Sequence, residues 1–202
     1  MTNTKGFLKI YGLAFIIVAL FLLGAKLVYG INTDQSNYVG TSNMRLTAAD
    51  SASLDISGNM TLEAWVNPSA IGARQTIMSR YHSADNQRSW YWDILVTGHL
   101  EATFCSALDA SLCTEYETAS IIQTGYNHYA IGMKPSTSEI FIWVNGVATT
   151  TVLRSQDATS IVNTSSLFSI GERSNGTDFP FTGDIDDVRV YPSLRTTGNI
   201  LG

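Results

Sequence analysis

Along most of this chain apolar and polar residues alternate in short runs separated by Gly, Asn, Ser and Asp. Such runs cover Met60 to Asn67, Gln75 to Tyr81, Ser89 to Val96, His99 to Cys105, Asn127 to Met133, Glu139 to Val144, Val147 to Leu153, Leu167 to Gly171 and Asp184 to Tyr191. A period of two is the signature of strands with one buried face, and no amphipathic helix of normal length interrupts the series. Asn145-Gly146 stands between two of the runs and predicts a two-residue type I′ hairpin, whose central positions both need positive φ. Many short strands joined by such turns predict an all-β, two-sheet antiparallel sandwich or jelly roll.

The last run is the most informative. In F-T-G-D-I-D-D-V-R-V-Y, Phe181 to Tyr191, strict alternation puts Asp186, Val188 and Val190 on one side and Ile185, Asp187, Arg189 and Tyr191 on the other. A carboxylate sharing a core-facing side with two valines must be protonated, paired, hydrogen-bonded or metal-bound.

The N-terminus follows a different pattern. Lys5 and Lys9 precede an uncharged run from Ile10 to Ala25, which Lys26 ends. Sixteen helical residues span about 24 Å, short of a hydrocarbon core of about 30 Å unless flanking residues extend them. Residues 1–30 are therefore expected to form a hydrophobic helix acting as signal peptide or membrane anchor, both readings open. K-G-F at Lys5 to Phe7 also resembles the start of a type IV pilin signal, although Tyr11 stands where that family places Glu. Residues 31–44 read as a polar spacer, 45–194 as the folded domain and 195–202 as a C-terminal tail.

Composition narrows the function. The 202 residues are 45% apolar and only 14% charged, with a net charge of −5. The chain has no run of Lys and Arg, which argues against nucleic acid and leaves the N-terminal segment as its only route to a membrane. Cys105 and Cys113 lack the spacing of a zinc site. In an oxidising compartment they would close a loop, worth roughly 2 to 3 kcal/mol; otherwise they are free thiols. Asn59, Asn163 and Asn175 head N-x-S/T sequons that matter only in a eukaryotic secretory pathway.

D-S-A-S-L-D-I-S-G-N-M-T-L-E-A-W-V-N-P (Asp50 to Pro68), I-M-S-R-Y after it, the Asn127 to Met133 run before E-I-F-I-W-V-N-G-V, and L-F-S-I-G followed by F-T-G-D-I-D-D-V-R-V-Y resemble the laminin G-like, or concanavalin A-like, jelly-roll domains. The resemblance spans about Arg45 to Leu194. Departures are Tyr126 in place of a usual Trp and Gly132-Met133 in place of a usual polar pair. The resemblance implies that Asp186 helps hold a structural calcium on the convex side, with carbonyls from Asn43 to Thr47 supplying further oxygens. It also implies that hydrolases on this fold carry acidic residues at alternate positions of one strand, close to E-x-D-x-x-E. No such run occurs. Glu115 and Glu117 alternate suitably but flank a tyrosine beside the cysteine loop, where an exposed edge is expected. His82, His99 and His128 share no ligand spacing.

Aromatic residues are the remaining resource, since sugar rings stack on them. Trp65, Trp92 and Trp143 are expected in the core, whereas Tyr91 and Asp93 share the opposite face of their strand. The loop from Tyr81 to Trp90, with Tyr81, His82, Asp85, Asn86, Arg88 and Trp90, is the candidate ligand rim, because binding residues favour loops on rigid sheets. The expectation is a non-catalytic extracellular recognition module for carbohydrate or a surface protein, in adhesion or cell-surface structure. The rivals are a glycan-cleaving enzyme with carboxylates from separate strands, and a pilin-like assembly protein.

Overall fold

The computed structural model describes residues 36–39, 45–173 and 178–200. The N-terminal hydrophobic segment and most of the spacer lie outside them. The described residues form thirteen strands and three short 3-10 turns, with no α-helix among them. The strands are β1 (Ser36–Val39), β2 (Leu46–Ala48), β3 (Met60–Pro68), β4 (Gln75–His82), β5 (Gln87–Ile94), β6 (Leu100–Cys105), β7 (Cys113–Thr118), β8 (Asn127–Lys134), β9 (Glu139–Val144), β10 (Val147–Ala148), β11 (Thr151–Gln156), β12 (Phe168–Ile170) and β13 (Thr182–Tyr191). They make a six-stranded sheet in the order β1-β13-β3-β8-β9-β10 and a seven-stranded sheet in the order β11-β7-β6-β5-β4-β12-β2. Every neighbouring pair is antiparallel. The two-sheet sandwich expected from the alternation is present.

Alternation places one row of each strand between the sheets. Leu62, Ala64 and Val66 of β3, Ile131 and Met133 of β8, and Ile142 of β9 meet Trp90, Trp92 and Ile94 of β5 and Leu100, Ala102 and Phe104 of β6 in one core. Fully burying each such large side chain is worth roughly 1.5 to 3 kcal/mol, so this layer holds the sheets face to face. Trp92 is core, as expected. Trp65 is not: it is 36% exposed on the outer face of the six-stranded sheet.

The turn chemistry bears out the hairpin. Asn145 (φ 50°) and Gly146 (φ 77°) connect β9 to β10, with Val144 opposite Val147. The run expected as one strand from Val147 to Leu153 is two. β10 ends on the six-stranded sheet and β11 pairs with β7 in the other, so the chain changes layers between Ala148 and Thr151.

The face assigned to Asp186 is corrected. The β13–β3 register shifts between Asp186 and Arg189, and Asp187 has φ 49°. This bulge inserts one residue, so Ile185, Val188 and Val190 all reach the core while half-buried Asp186 is left on the outer side. Its Oδ1 accepts the Asp187 N–H at 2.7 Å. Strict alternation fails here because an αL residue, which Asp tolerates, resets the period.

The segment after β13 folds back over the outer face of the six-stranded sheet. Thr61 Oγ1 donates to Ser193 O and accepts the Arg195 N–H, both at 2.9 Å, and Trp143 Nε1 donates to Thr197 Oγ1 at 3.1 Å. Ala130, Trp143 and Ile200 form a small second core there. Gly132 makes room for it, since a Cβ at that position would lie 2.6 Å from Leu194 Cδ1 and 2.9 Å from the Trp143 ring. Beneath this cover Glu63, fully buried, faces His128 at 3.5 Å, Arg195 at 3.4 Å and Arg189 at 3.9 Å.

Gly183, at the start of β13, has φ 133°, and a Cβ there would lie 2.1 Å from Asn67 O and 2.8 Å from Ser69 N. Backbone atoms cannot yield as a side-chain tip can. Gly183→Ala is expected to cost about 2 kcal/mol or more in urea unfolding, whereas Gly198→Ala, with nothing within 4 Å, should be near neutral.

Candidate functional site

Where Trp90 and Trp92 of β5 point inward, Tyr91 and Asp93 point outward, and the same alternation turns Glu101 and Thr103 of β6 and Glu115 and Glu117 of β7 to that outer face. The register sets them in two rows across three strands: Tyr91, Thr103 and Glu115 in one, Asp93, Glu101 and Glu117 in the other. Four carboxylates that are scattered in sequence therefore share one face.

Asp93, fully buried, is the anchor. It accepts hydrogen bonds from Arg74 Nε (2.7 Å), Thr76 Oγ1 (2.7 Å) and Arg173 (2.8 Å). Arg74 also pairs with Glu101, and Arg154 with Glu117. The Arg173 guanidinium is packed among rings, 4.0 Å from the Tyr91 centroid, 4.6 Å from Tyr81 and 4.8 Å from Phe179. Such contacts hold a cation to the aromatic faces in addition to its ion pair. Tyr81 and Tyr91 meet edge to face at 5.0 Å. Phe179 holds φ 57°, a costly conformation for a bulky residue, of the kind that accumulates at functional positions.

Three groups on this face are left over. Glu115, half-buried, has a single long hydrogen bond, accepting from Tyr91 Oη at 3.5 Å. Thr103, 2% exposed and centred between Tyr91 and Glu115, has a hydroxyl with no hydrogen-bond partner, and so has the buried Arg173 Nε. An unpaired buried hydroxyl costs roughly 1 to 3 kcal/mol.

Burial shifts the titrating groups. Glu101 is pushed up to about 7, chiefly by burial, with Arg74 opposing and Glu115 and Asp93 adding to the rise. Burial, then Glu101 and Asp93, raises the Tyr91 phenol. Burial tends to lower the Arg74 and Arg173 values, but Asp93 more than offsets it for both, together with Glu101 at Arg74. Both stay cationic.

Of the rim residues expected from sequence, only Tyr81 joins this face. Trp90 is buried in the core. His82 accepts the Asp85 N–H at 3.3 Å within the β4–β5 turn, and Asn86, at φ 50°, caps that turn. Arg88 donates to Asn86 Oδ1 and Asp109 O at 2.8 Å and to Ser83 O at 2.7 Å, fastening the turn to the neighbouring loop. That loop is closed by the Cys105–Cys113 disulfide, between residues directly opposite in the β6–β7 ladder. Glu115 and Glu117, expected at an exposed edge, are covered by β11 and partly or fully buried. Thr103, Arg74 and Arg173 were not singled out. For Thr103 the signal was available, since it alternates with core residues Ala102 and Phe104. For Arg74 and Arg173, which lie outside the strands, there was none.

Of the oxygens expected to join Asp186 around a calcium, the carbonyls of Asn43 and Met44 lie outside the described residues. One carboxylate oxygen is committed to the Asp187 N–H, the neighbouring Asp184 accepts Asn67 Nδ2 at 3.0 Å, and no group of three or more His, Cys, Asp or Glu converges among the described residues. Calcium takes six to eight oxygens.

The chain is thus a two-layer antiparallel sandwich with one outer face covered by its own C-terminal segment and the other carrying aromatic rings, hydroxyls and paired charges. The chain belongs to the concanavalin A-like lectin/glucanases superfamily, whose family model matches residues 39–201. No curated protein matches it. Among solved structures it resembles the CBM40 of a Ruminococcus gnavus IT-sialidase bound to α2,3-sialyllactose (14% identity, TM-score 0.60, covering 85% of this chain and 94% of that one). It also resembles a putative carbohydrate binding protein from Bacteroides ovatus (20%, 0.60, 83% and 48%) and a SAP-like pentraxin from Limulus polyphemus (16%, 0.57, 81% and 78%).

An acid with a raised folded pKa holds its proton more tightly in the fold. The stability Glu101 contributes is thus complete below about 4.5 and is lost as pH rises through about 7. Melting temperatures of wild type and Glu101→Gln, compared from about pH 5 to about pH 8, should shift in favour of the variant as pH rises; a constant difference would place Glu101 at an ordinary pKa. At Asp186, melting in EDTA and in millimolar calcium should coincide. A calcium-dependent rise abolished by Asp186→Asn would put a metal there with oxygens from outside the described residues.

Proposed function

We propose that this domain is a non-catalytic recognition module that binds carbohydrate on the outer face of the seven-stranded sheet, around Tyr91, Thr103 and Glu115. The observation that carries this reading is half-buried Glu115, whose carboxylate keeps spare acceptor capacity beside the Tyr91 and Tyr81 rings. A sugar ring offers hydroxyls that both donate and accept, which is what this row lacks, and Tyr81 supplies an aromatic edge beside it. Two of the similar structures are carbohydrate-binding by name. Residues 1–30 would carry the domain out of the cytoplasm, as a cleaved signal or a retained anchor, for adhesion or cell-surface structure.

A second reading, glycan cleavage, is favoured by one feature: carboxylates from β5, β6 and β7 lie together, and Glu101 is protonated near neutrality as a general acid must be. Against it, Asp93 is held by two arginines and a threonine, and Glu117 by Arg154, which leaves neither free for chemistry.

Thr103→Val keeps shape and strand propensity while removing the hydroxyl. It should raise the melting temperature, since that buried hydroxyl has no partner, while Glu115→Gln should lower glycan affinity about tenfold and Tyr91→Phe to a smaller degree, in isothermal titration with the best binder from a polysaccharide panel. Release of reducing ends from the same panel, abolished by Glu101→Gln or Glu115→Gln, would replace the module by an enzyme.

A further inference from the structure

The charges on this face specify more than a generic sugar. Four carboxylates (Asp93, Glu101, Glu115, Glu117) face three guanidinium groups (Arg74, Arg154, Arg173), and every guanidinium already has an acidic partner. Arg74 spans Asp93 and Glu101, Arg154 takes Glu117, and Arg173 takes Asp93 while its plane is occupied by three rings. An incoming carboxylate would have to share Arg173 with Asp93. It would also sit beside Glu115, which has no counter-ion, and Glu101. Resting on the carbohydrate reading of this face, we infer that it selects uncharged sugars over sugars that bear a carboxylate, sialic acid included.

Independent support comes from Glu115, half-buried at the centre with spare acceptor sites and no ion pair, which accepts only from a donor. On this face the unpartnered Arg173 Nε is buried among its rings. Like charges brought together at a desolvated site cost several kcal/mol, and a repulsive group is the usual device by which a site rejects a close analogue. The face therefore differs in charge from what a sialic acid site needs, although the fold is shared with a domain bound to sialyllactose.

The same face takes up a proton near neutrality. Glu101, with Tyr91 and Asp93 on one flank, Glu115 and Glu117 on the other and Arg74 above, reaches about 7 through burial and through Glu115 and Asp93, despite Arg74. Protonation removes one negative charge, so discrimination against acidic sugars should weaken as pH falls through about 7.

The test uses the full chain and matched probes. Lactose is compared with 3′-sialyllactose, and neutral galactan, arabinan and β-glucan with polygalacturonate and alginate, by array and then titration at about pH 8 and about pH 6. Uncharged members should bind at least about tenfold more tightly than acidic ones at the higher pH, with the gap narrowing at the lower. Glu101→Gln/Glu115→Gln should also narrow it, while Glu139→Gln, on another sheet, should not. Acidic members bound as tightly as neutral ones overturn the selectivity alone. No binding to any probe overturns the carbohydrate reading and the selectivity with it.

Discussion

A fully buried carboxylate is stable only if its oxygens are filled, and Asp93 is where this fold meets that requirement. Its three donors come from the loop before β4, from β4 itself and from the loop after β12. Removing Asp93 would leave the Arg173 guanidinium without its ion pair away from water, a loss of roughly 3 to 5 kcal/mol, whereas removing one donor leaves the carboxylate two others. Because Arg74 and Arg173 cannot leave Asp93, the rings that pack on them, Tyr81, Tyr91 and Phe179, are held too. The candidate site is built outward from this one ion cluster, and its side chains are placed before any ligand arrives.

The two outer faces solve the same problem differently. On the six-stranded sheet, buried Glu63 is surrounded by His128, Arg189 and Arg195, and the last of these comes from the segment that covers the face. There the protein supplies its own lid. On the seven-stranded sheet the carboxylates pair with arginines from the flanking loops and β11, Arg173 packs over Tyr91, and spare acceptor capacity remains at half-buried Glu115. Each face keeps buried groups without a hydrogen-bond partner, Glu63 and His128 Nδ1 on one and Thr103 and Arg173 Nε on the other, so the difference between them lies in what covers them.

Much of the fold was legible because it rests on local rules. Asn145-Gly146 declares its turn since few residues accept two positive φ values in succession, and the alternation around Trp92 or Ile131 declares the buried face. What could not be read depends on partners distant in sequence. An αL aspartate at 187 shifts Asp186 to the other side, and nothing in D-I-D-D-V-R-V-Y marks which residue is the extra one. Trp65 and Trp143 have similar surroundings in sequence, yet only Trp143 is covered, because the chain returns over it after β13. At the site, Tyr91 and Asp93 were visible as one face of a strand, whereas Arg173, eighty residues from Asp93, was not. Asp85 and Arg88 stand as candidates on the rule that loops bind, whereas in this domain Arg88 fastens its turn to the neighbouring loop.

The disulfide sits at the last rung shared by β6 and β7, two residues from Thr103 on one strand and two from Glu115 on the other. The distance between these groups is therefore set partly by a covalent bond whose existence depends on the thiol–disulfide potential of the surroundings. In a reducing environment the same two strands would be held at that end by ladder hydrogen bonds alone. The geometry of this face is thus tied to the oxidation state of two cysteines that lie outside its two rows.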